Sequence, residues 1–416
     1  MKHLPRTGSA PFEVIEISEQ NSGVTTDAKR MEELGRRPEI ALPRRLVHRK
    51  AVIGLASTVV ITWQNMLFLA AIALSTGGLA GYFWISLVVF AAMYVVYIGL
   101  REKAERWPVA AGQYFWVAQL APQRYAKLLS FLSGWKLMVS WQVFLAAGVM
   151  IVGNGIAAIV ALHNGSSQAW LPTVLGISIT FLIFVANRYD CIFHLGEEIK
   201  AASTIMPAAL MWATAVNFTL GLITVLVIDF SITDIDALLS TSLSQSGPVG
   251  PVIQIFATAT ASRTWTTAIS ILLLATFIPC CANSNTAATR QLWAFAEDGA
   301  LPKSLWIRKE RHGVPSNALS LTLIGPIALS LLNLFSPVAL NAIISLVIIN
   351  LMVSYLLVAA TSLYNRYTGG GDAINEHVYR LTYRQGTAVD VFSIIFITAS
   401  LVIAMFPPLL ILPHKR

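Results

Sequence analysis

The sequence predicts an all-α protein that crosses a membrane several times. Of its 416 residues, 56% are hydrophobic and only 12% are charged, and the mean hydropathy is +0.66. Five apolar stretches, at 51–74, 81–100, 130–162, 208–228 and 339–363, are each long enough to cross the hydrocarbon layer, which takes about 20 helical residues. Several separate runs exclude a single anchor, and they predict one membrane domain at 51–412.

Four less uniform stretches bring the predicted number of spans to about nine. They lie at 171–187, 264–282, 317–334 and 391–412. Residues 1–50 are polar and of mixed charge, which predicts a disordered tail, and 413–416 form a short tail at the other end. An odd number of crossings places the two tails on opposite sides of the membrane.

The distribution of basic residues predicts the orientation. Arg44, Arg45, Arg49 and Lys50 crowd the entrance to the first span, which indicates a cytoplasmic N-terminus. Most other basic residues then fall in inner loops, including the polar segment 101–106, which is expected to be solvated. Membrane topology therefore explains the formal charge of +8, and the lipid bilayer rather than nucleic acid is the expected partner.

The sequence predicts neither an enzyme nor a bound cofactor. The three cysteines, Cys191, Cys280 and Cys281, show no C-x-x-C spacing and are expected to pack as small apolar residues. His194 lacks the second histidine of a helical metalloprotease motif, so no metal site is predicted. The chain also offers no phosphate-binding loop and no paired nucleophile and base.

A series of short motifs runs in order along the chain. It comprises Thr62-Trp63-Gln64, 108–116, Ser133-Gly134-Trp135, 194–200, 234–236, 290–302 and 340–346. In this order the motifs resemble the fungal amino-acid/choline (GABA-type) permease family of the amino acid–polyamine–organocation superfamily. The resemblance implies a secondary carrier for GABA, another amino acid, choline or a polyamine. It also implies twelve helices, arranged as a five-plus-five inverted repeat with two more.

The chain departs from this pattern after residue 187. The stretch 171–187 resembles the family's fourth helix, whereas 194–200 resembles the segment that follows its sixth helix. The residues between them are too few to span a membrane, so the fifth and sixth helices are expected to be absent, as is the twelfth. The predicted fold is therefore an incomplete inverted repeat. A transport-inactive truncated permease or accessory membrane protein is the alternative function.

The predicted substrate site lies on the first span. Family carriers break this helix near the bilayer midplane, where half-helix ends and polar groups bind the solute. Here the resemblance implies substrate-binding residues at Ser57, Thr58, Thr62, Trp63 and Gln64. Alternatively, the hydroxyl groups bond back to their own helix, Gln64 joins two helices, and Trp63 is an interface anchor rather than a cation–π partner.

The family resemblance also bears on the pH dependence of transport and on the membrane in which the protein lies. Related sequences usually have a glutamate at the position of Gln64, and the clearest spans contain almost no ionisable group. Any transport is therefore expected to depend weakly on pH or to be facilitative. The expected location is the plasma membrane, with the vacuolar membrane as the alternative.

Overall fold

The computed structural model describes residues 49–109, 111–189, 202–232, 234–241, 243, 249–309, 315–332, 334, 339–368 and 381–404. The regular structure in these ranges is entirely helical, which confirms the all-α prediction. Residues 1–48, the motif 194–200 and the last segment 405–416 lie outside the described residues, and what the sequence predicts for them stays a prediction.

The helices follow one another with short connections. They are α1 (Arg49–Val60), α2 (Thr62–Arg106), α3 (Gln113–Leu120), α4 (Gln123–Asn164), α5 (Leu171–Tyr189), α6 (Ala202–Ser231), α7 (Ile235–Ser240), α8 (Gly250–Thr260), α9 (Arg263–Glu297), α10 (Ser304–Ile307), α11 (Ser316–Thr322), α12 (Ile324–Leu332), α13 (Ala339–Tyr367) and α14 (Tyr383–Ala404).

The long helix α2 folds back on itself at Gly78. This residue has φ 61° and ψ −169°, a conformation that is open to glycine and strained for other residues. The Tyr82 hydroxyl donates to the Met66 carbonyl oxygen at 2.7 Å, although these residues would lie about 24 Å apart along a straight helix. The first and second predicted spans are therefore antiparallel neighbours.

Helix α4 is central to the packing. It contacts α3, α5, α9 and α13, while α6 packs against α1 and α2, and α14 packs against α13. One apolar cluster, containing Phe68, Met150 and Phe277, joins α2, α4 and α9. A second, containing Trp116 and Phe295, joins α3 and α9 to α13. The first of these clusters also contains Val225 and Ile228, and it fixes the first span against α6 and α9.

Within the described ranges, six helical stretches are long and apolar enough to cross a membrane, and the first of them, Val52–Arg106, contains the fold-back at Gly78. Each of the nine predicted spans overlaps a helix. The surface carries large exposed apolar side chains such as Leu182, Leu272 and Ile395, as expected for contact with lipid. The architecture is that of a polytopic membrane protein, and nine crossings stay a prediction.

The prediction that 101–106 forms a solvated loop is wrong. These residues complete the last turns of α2, and both Lys103 and Glu105 are buried. The amino group of Lys103 lies 3.2 Å from a carboxylate oxygen of Asp390 on α14. Lys103 is buried because Asp390 compensates its charge, and Glu105 is buried beside Arg101 of its own helix, with which it forms an ion pair at 2.9 Å.

Four side chains, Glu102, Lys103, Arg366 and Asp390, form what we call the ion cluster. Lys103 also lies 3.1 Å from Glu102, and Arg366 contacts Glu102 and lies 2.9 Å from Asp390. Burial by itself raises the pKa of Glu102, but the positive charges of Lys103 and Arg366 outweigh burial and hold that pKa below its ordinary value. The cluster thus ties together the ends of α2, α13 and α14.

Candidate functional site

The first predicted span is broken at Ile61. Helix α1 ends at Val60 and α2 begins at Thr62, and Ile61 between them has φ 29° and ψ 40°. A positive φ is unfavourable for a β-branched residue, and it persists only where the surrounding structure enforces it. The side chain of Ile61 is almost fully buried in the apolar cluster around Phe68, which fixes this conformation. The structure therefore contains the break that the resemblance implies.

A side chain from another helix satisfies the backbone at the break. In an uninterrupted helix the Thr62 N–H would donate to the carbonyl oxygen of residue 58. Here it donates to the amide oxygen of Asn217 on α6, at 3.2 Å and in a buried position. Asn217 thus caps the start of α2 from outside the first span.

Helix α9 lines the other side of the break with polar groups. The Asn283 amide donates to the Thr58 hydroxyl, and the Gln64 amide donates to the Thr276 hydroxyl at 3.5 Å. The Cys280 thiol lies 3.9 Å from the Val59 carbonyl oxygen. The half-helices of the broken span therefore face a column of polar side chains that recur every three or four residues along α9.

Six buried polar atoms of α2, α6 and α9 have no hydrogen-bond partner among the described residues. They include the Gln64 amide oxygen, the Thr214 hydroxyl on α6 and the Asn285 amide nitrogen on α9. Buried polar atoms normally have a partner, because an unsatisfied one costs about 1–3 kcal/mol. Gln64 lies within the predicted span 51–74, where an unsatisfied amide oxygen is a candidate partner for water or a polar solute.

The structure brings most of the predicted site residues together. Thr58, Thr62 and Gln64 lie at the break and contact α6 or α9. Ser57 is half-buried, and its carbonyl oxygen accepts from the Ile61 N–H at 3.3 Å. Trp63 is half-buried and packs against the apolar cluster around Phe68. Gln64 does join two helices, as the alternative interpretation expects, and its amide oxygen still lacks a partner among the described residues.

Three further residues complete the site, and none of them was predicted from the sequence. Asn217, Thr276 and Asn283 contact the first span from helices that are distant in sequence. Asn217 interrupts the apolar stretch 208–228, and such an isolated amide is a signal that could have identified it. The described side chains that form hydrogen bonds at the break are uncharged at neutral pH, which favours recognition by dipoles rather than by an ion pair.

Three of the motifs that carried the resemblance meet elsewhere, around Phe295. The aromatic rings of Tyr114 and Trp135 contact the Phe295 ring, and the Tyr114 hydroxyl donates to Asp298 at 2.7 Å. A methyl group placed on Gly134 would lie 2.3 Å from Phe295, so only glycine allows α4 to approach α9 this closely. These motifs therefore contribute to packing and do not line the break.

Comparison with known proteins identifies relatives of this chain. A family model described as amino acid permease matches residues 184–411. A protein named as an amino acid/polyamine transporter in Macrophomina phaseolina is 23% identical, over 86% of this chain and 94% of that protein. The choline transporter of Saccharomyces cerevisiae is 30% identical over 49% of this chain and 33% of that protein. The GABA-specific permease of the same yeast is 22% identical over 76% of this chain and 68% of that protein.

The alignment with the Macrophomina phaseolina protein is longer than this chain. It has 431 positions, whereas the chain has 416 residues, of which 86% are aligned. That relative therefore contains internal segments that have no counterpart here. The absence of the fifth and sixth helices stays a prediction.

Proposed function

Because this chain belongs to the amino acid permease family, whose model matches residues 184–411, we propose that it is a secondary carrier for a small nitrogenous solute. Family membership makes it a transporter rather than an enzyme, and its apolar helices make it an integral, multi-pass membrane protein. The named relatives act on amino acids, polyamines, choline or GABA, and we take these as the candidate substrates.

The observation that carries the proposal is the break at Ile61 among uncharged polar side chains. The end of α1 offers carbonyl oxygens with a partial negative charge, which would bind an ammonium group. The start of α2 offers N–H groups with a partial positive charge, which would bind a carboxylate. Ser57, Thr58, Thr62 and Gln64 would supply hydrogen bonds to either end of the solute.

Choline would need a different contact, because its quaternary ammonium group cannot donate hydrogen bonds through nitrogen. Trp63 is half-buried next to the break, and its ring could replace lost hydration by cation–π attraction. If the protein strongly prefers choline, Trp63→Leu should cause a large loss of uptake. If it prefers GABA or another amino acid, the loss of uptake should be small.

The experiment is uptake of labelled GABA, choline, amino acids and polyamines into transporter-deficient cells that express this chain. We expect uptake of at least one solute above the vector control, with little change when the external pH is varied. Uptake of none of these solutes, by a chain shown to reach the membrane, would overturn the proposal. A fluorescent fusion would show whether that membrane is the plasma membrane, as we propose, or the vacuolar membrane.

The internal segments that this chain lacks favour a second candidate, a transport-inactive truncated permease or accessory membrane protein. In an inverted repeat, the sixth helix is the symmetric partner of the first and supplies half of the substrate site. Transcript sequencing across the codons for Asn187 and Arg188 separates the two candidates. An in-frame segment that codes for two apolar helices would support the carrier, and a continuous transcript together with absent uptake would support the second candidate.

A further inference from the structure

The structure has an apolar groove whose lining residues include none of those that meet at the break at Ile61. Its volume is about 350 Å³, it is open along one side, and helices α4, α9, α11 and α12 and the segment around α10 form it. The side chains that line it include Trp135, Met138, Leu292, Ile307, Leu321 and Ile324. Ile324 is 61% exposed although it is large and apolar, as expected for a groove wall that contacts lipid.

The segment 301–309 forms one rim of the groove, and side chains of neighbouring helices fix it in place. The Trp293 indole donates to the Arg308 carbonyl oxygen at 3.2 Å, and the Asn317 amide donates to the Trp306 carbonyl oxygen at 2.7 Å. Leu301, Pro302 and Ile307 of this segment face the groove. These hydrogen bonds fix the backbone of the rim beside the groove.

The outer side of this rim combines positive charge with exposed apolar groups. Lys303, Arg308 and Lys309 are all exposed. Between them, Leu305 and Trp306 on α10 are 73% and 52% exposed. Basic side chains beside an exposed tryptophan are typical of the boundary between lipid headgroups and hydrocarbon. The predicted orientation puts this boundary on the cytoplasmic side.

We propose that the groove and its basic rim bind an anionic glycerophospholipid of the cytoplasmic leaflet. An acyl chain occupies the apolar groove, and the phosphate and acidic headgroup lie against Lys303, Arg308 and Lys309. Cytoplasmic leaflets are rich in anionic lipid, which basic residues at the membrane surface attract. Among the described residues, the carboxylates closest to this rim in the sequence are Glu297 and Asp298, and Asp298 accepts a hydrogen bond from the Tyr114 hydroxyl. Glu310, which follows Lys309, lies outside the described residues. This lipid site is independent of the solute that the protein carries.

Native mass spectrometry of the full-length chain in detergent tests the proposal. Phosphatidylserine and phosphatidylcholine with identical acyl chains serve as probes. We expect phosphatidylserine to bind at least about tenfold more tightly, since each basic residue near an anionic lipid contributes about fivefold. The triple variant Lys303→Gln, Arg308→Gln, Lys309→Gln should lose this preference. Soluble glycerophosphoserine, which has no acyl chain, should bind far more weakly than the lipid.

Two further variants make the result specific. The control Arg124→Gln, Lys127→Gln, Arg384→Gln removes the same charge from other exposed positions and should keep the preference. Ile324→Trp fills the groove and should weaken the binding of both lipids by about tenfold, while the circular dichroism spectrum of the protein stays unchanged. Equal binding of both lipids to the wild type, equal losses in the two triple variants, or no effect of Ile324→Trp would overturn the proposal. So would a dimer of this chain that Ile324→Trp dissociates without changing lipid binding.

Discussion

The capping of the broken span by Asn217 gives a prediction for one side chain. Asn217→Leu removes the acceptor of the Thr62 N–H and leaves a buried donor without a partner. We expect stability to fall by about 1–3 kcal/mol. Thermal unfolding in detergent measures the loss. The control is Asn350→Leu, because Asn350 is similarly buried and donates to the Leu346 carbonyl oxygen of its own helix. Similar losses for the two variants would contradict the capping role.

The close approach at Gly134 gives a second prediction for a single residue. Gly134→Ala places a methyl group 2.3 Å from the Phe295 ring, which is fully buried and has little room to move. We expect a loss of about 1–3 kcal/mol, which Phe295→Leu should partly relieve in the double variant. Gly81→Ala is the matched control, since a methyl group there contacts nothing within 4 Å. An unchanged melting temperature for Gly134→Ala would show that the contact is unimportant.

Among the helices, the ion cluster determines how the ends of α2, α13 and α14 depend on pH. Glu102→Gln removes a carboxylate that contacts both Lys103 and Arg366, and breaking such a buried pair costs about 3–5 kcal/mol. The pKa of Glu102 is lowered in the folded protein. The stabilisation by the ionised Glu102 carboxylate is therefore complete above its ordinary pKa of 4.5. It is lost as the pH falls through the pKa that Glu102 has in the folded protein.

Thermal unfolding of the wild type and of Glu102→Gln between pH 7 and pH 3 measures this effect. The difference between their melting temperatures should be large at pH 7 and should shrink below pH 4.5, because protonated glutamate resembles glutamine. The exposed Asp236→Asn serves as a control with a small effect throughout. A difference that is constant with pH would mean that Glu102 acts by packing rather than by charge.

For the whole molecule, the number of crossings is open to direct measurement. Nine spans with a cytoplasmic N-terminus place Lys415 and Arg416 outside, where basic residues are disfavoured. We expect the last span to cross nevertheless, since 391–406 is almost continuously apolar. A glycosylation-acceptor tag fused after Arg416 should therefore be modified. An unmodified tag that is labelled only after permeabilisation would show that the tag is cytoplasmic and that nine crossings is the wrong number.

The sequence predicted the helices because apolar runs depend on local composition, whereas the break in the first span was predicted from the family resemblance. Apolar runs identify spans, and Thr62 and Gln64 interrupt the first of them. It did not predict that Asn217 and Asn283 contact the break, since such contacts depend on how distant helices pack. The burial of Lys103 was missed for the same reason: its partner Asp390 is 287 residues away, and a charged segment without visible compensation predicts a solvated loop.

Binding of the solute at the break in the first span can be measured by substrate protection of a single thiol. Ser57→Cys would be introduced into a chain whose Cys191, Cys280 and Cys281 are replaced by alanine, and its rate of reaction with a methanethiosulfonate reagent measured. The matched control is Ser86→Cys, which is equally half-buried on the neighbouring span. A transported solute should slow modification at position 57 several-fold and leave position 86 unchanged. Equal rates at position 57 with and without a saturating transported solute would contradict binding at the break.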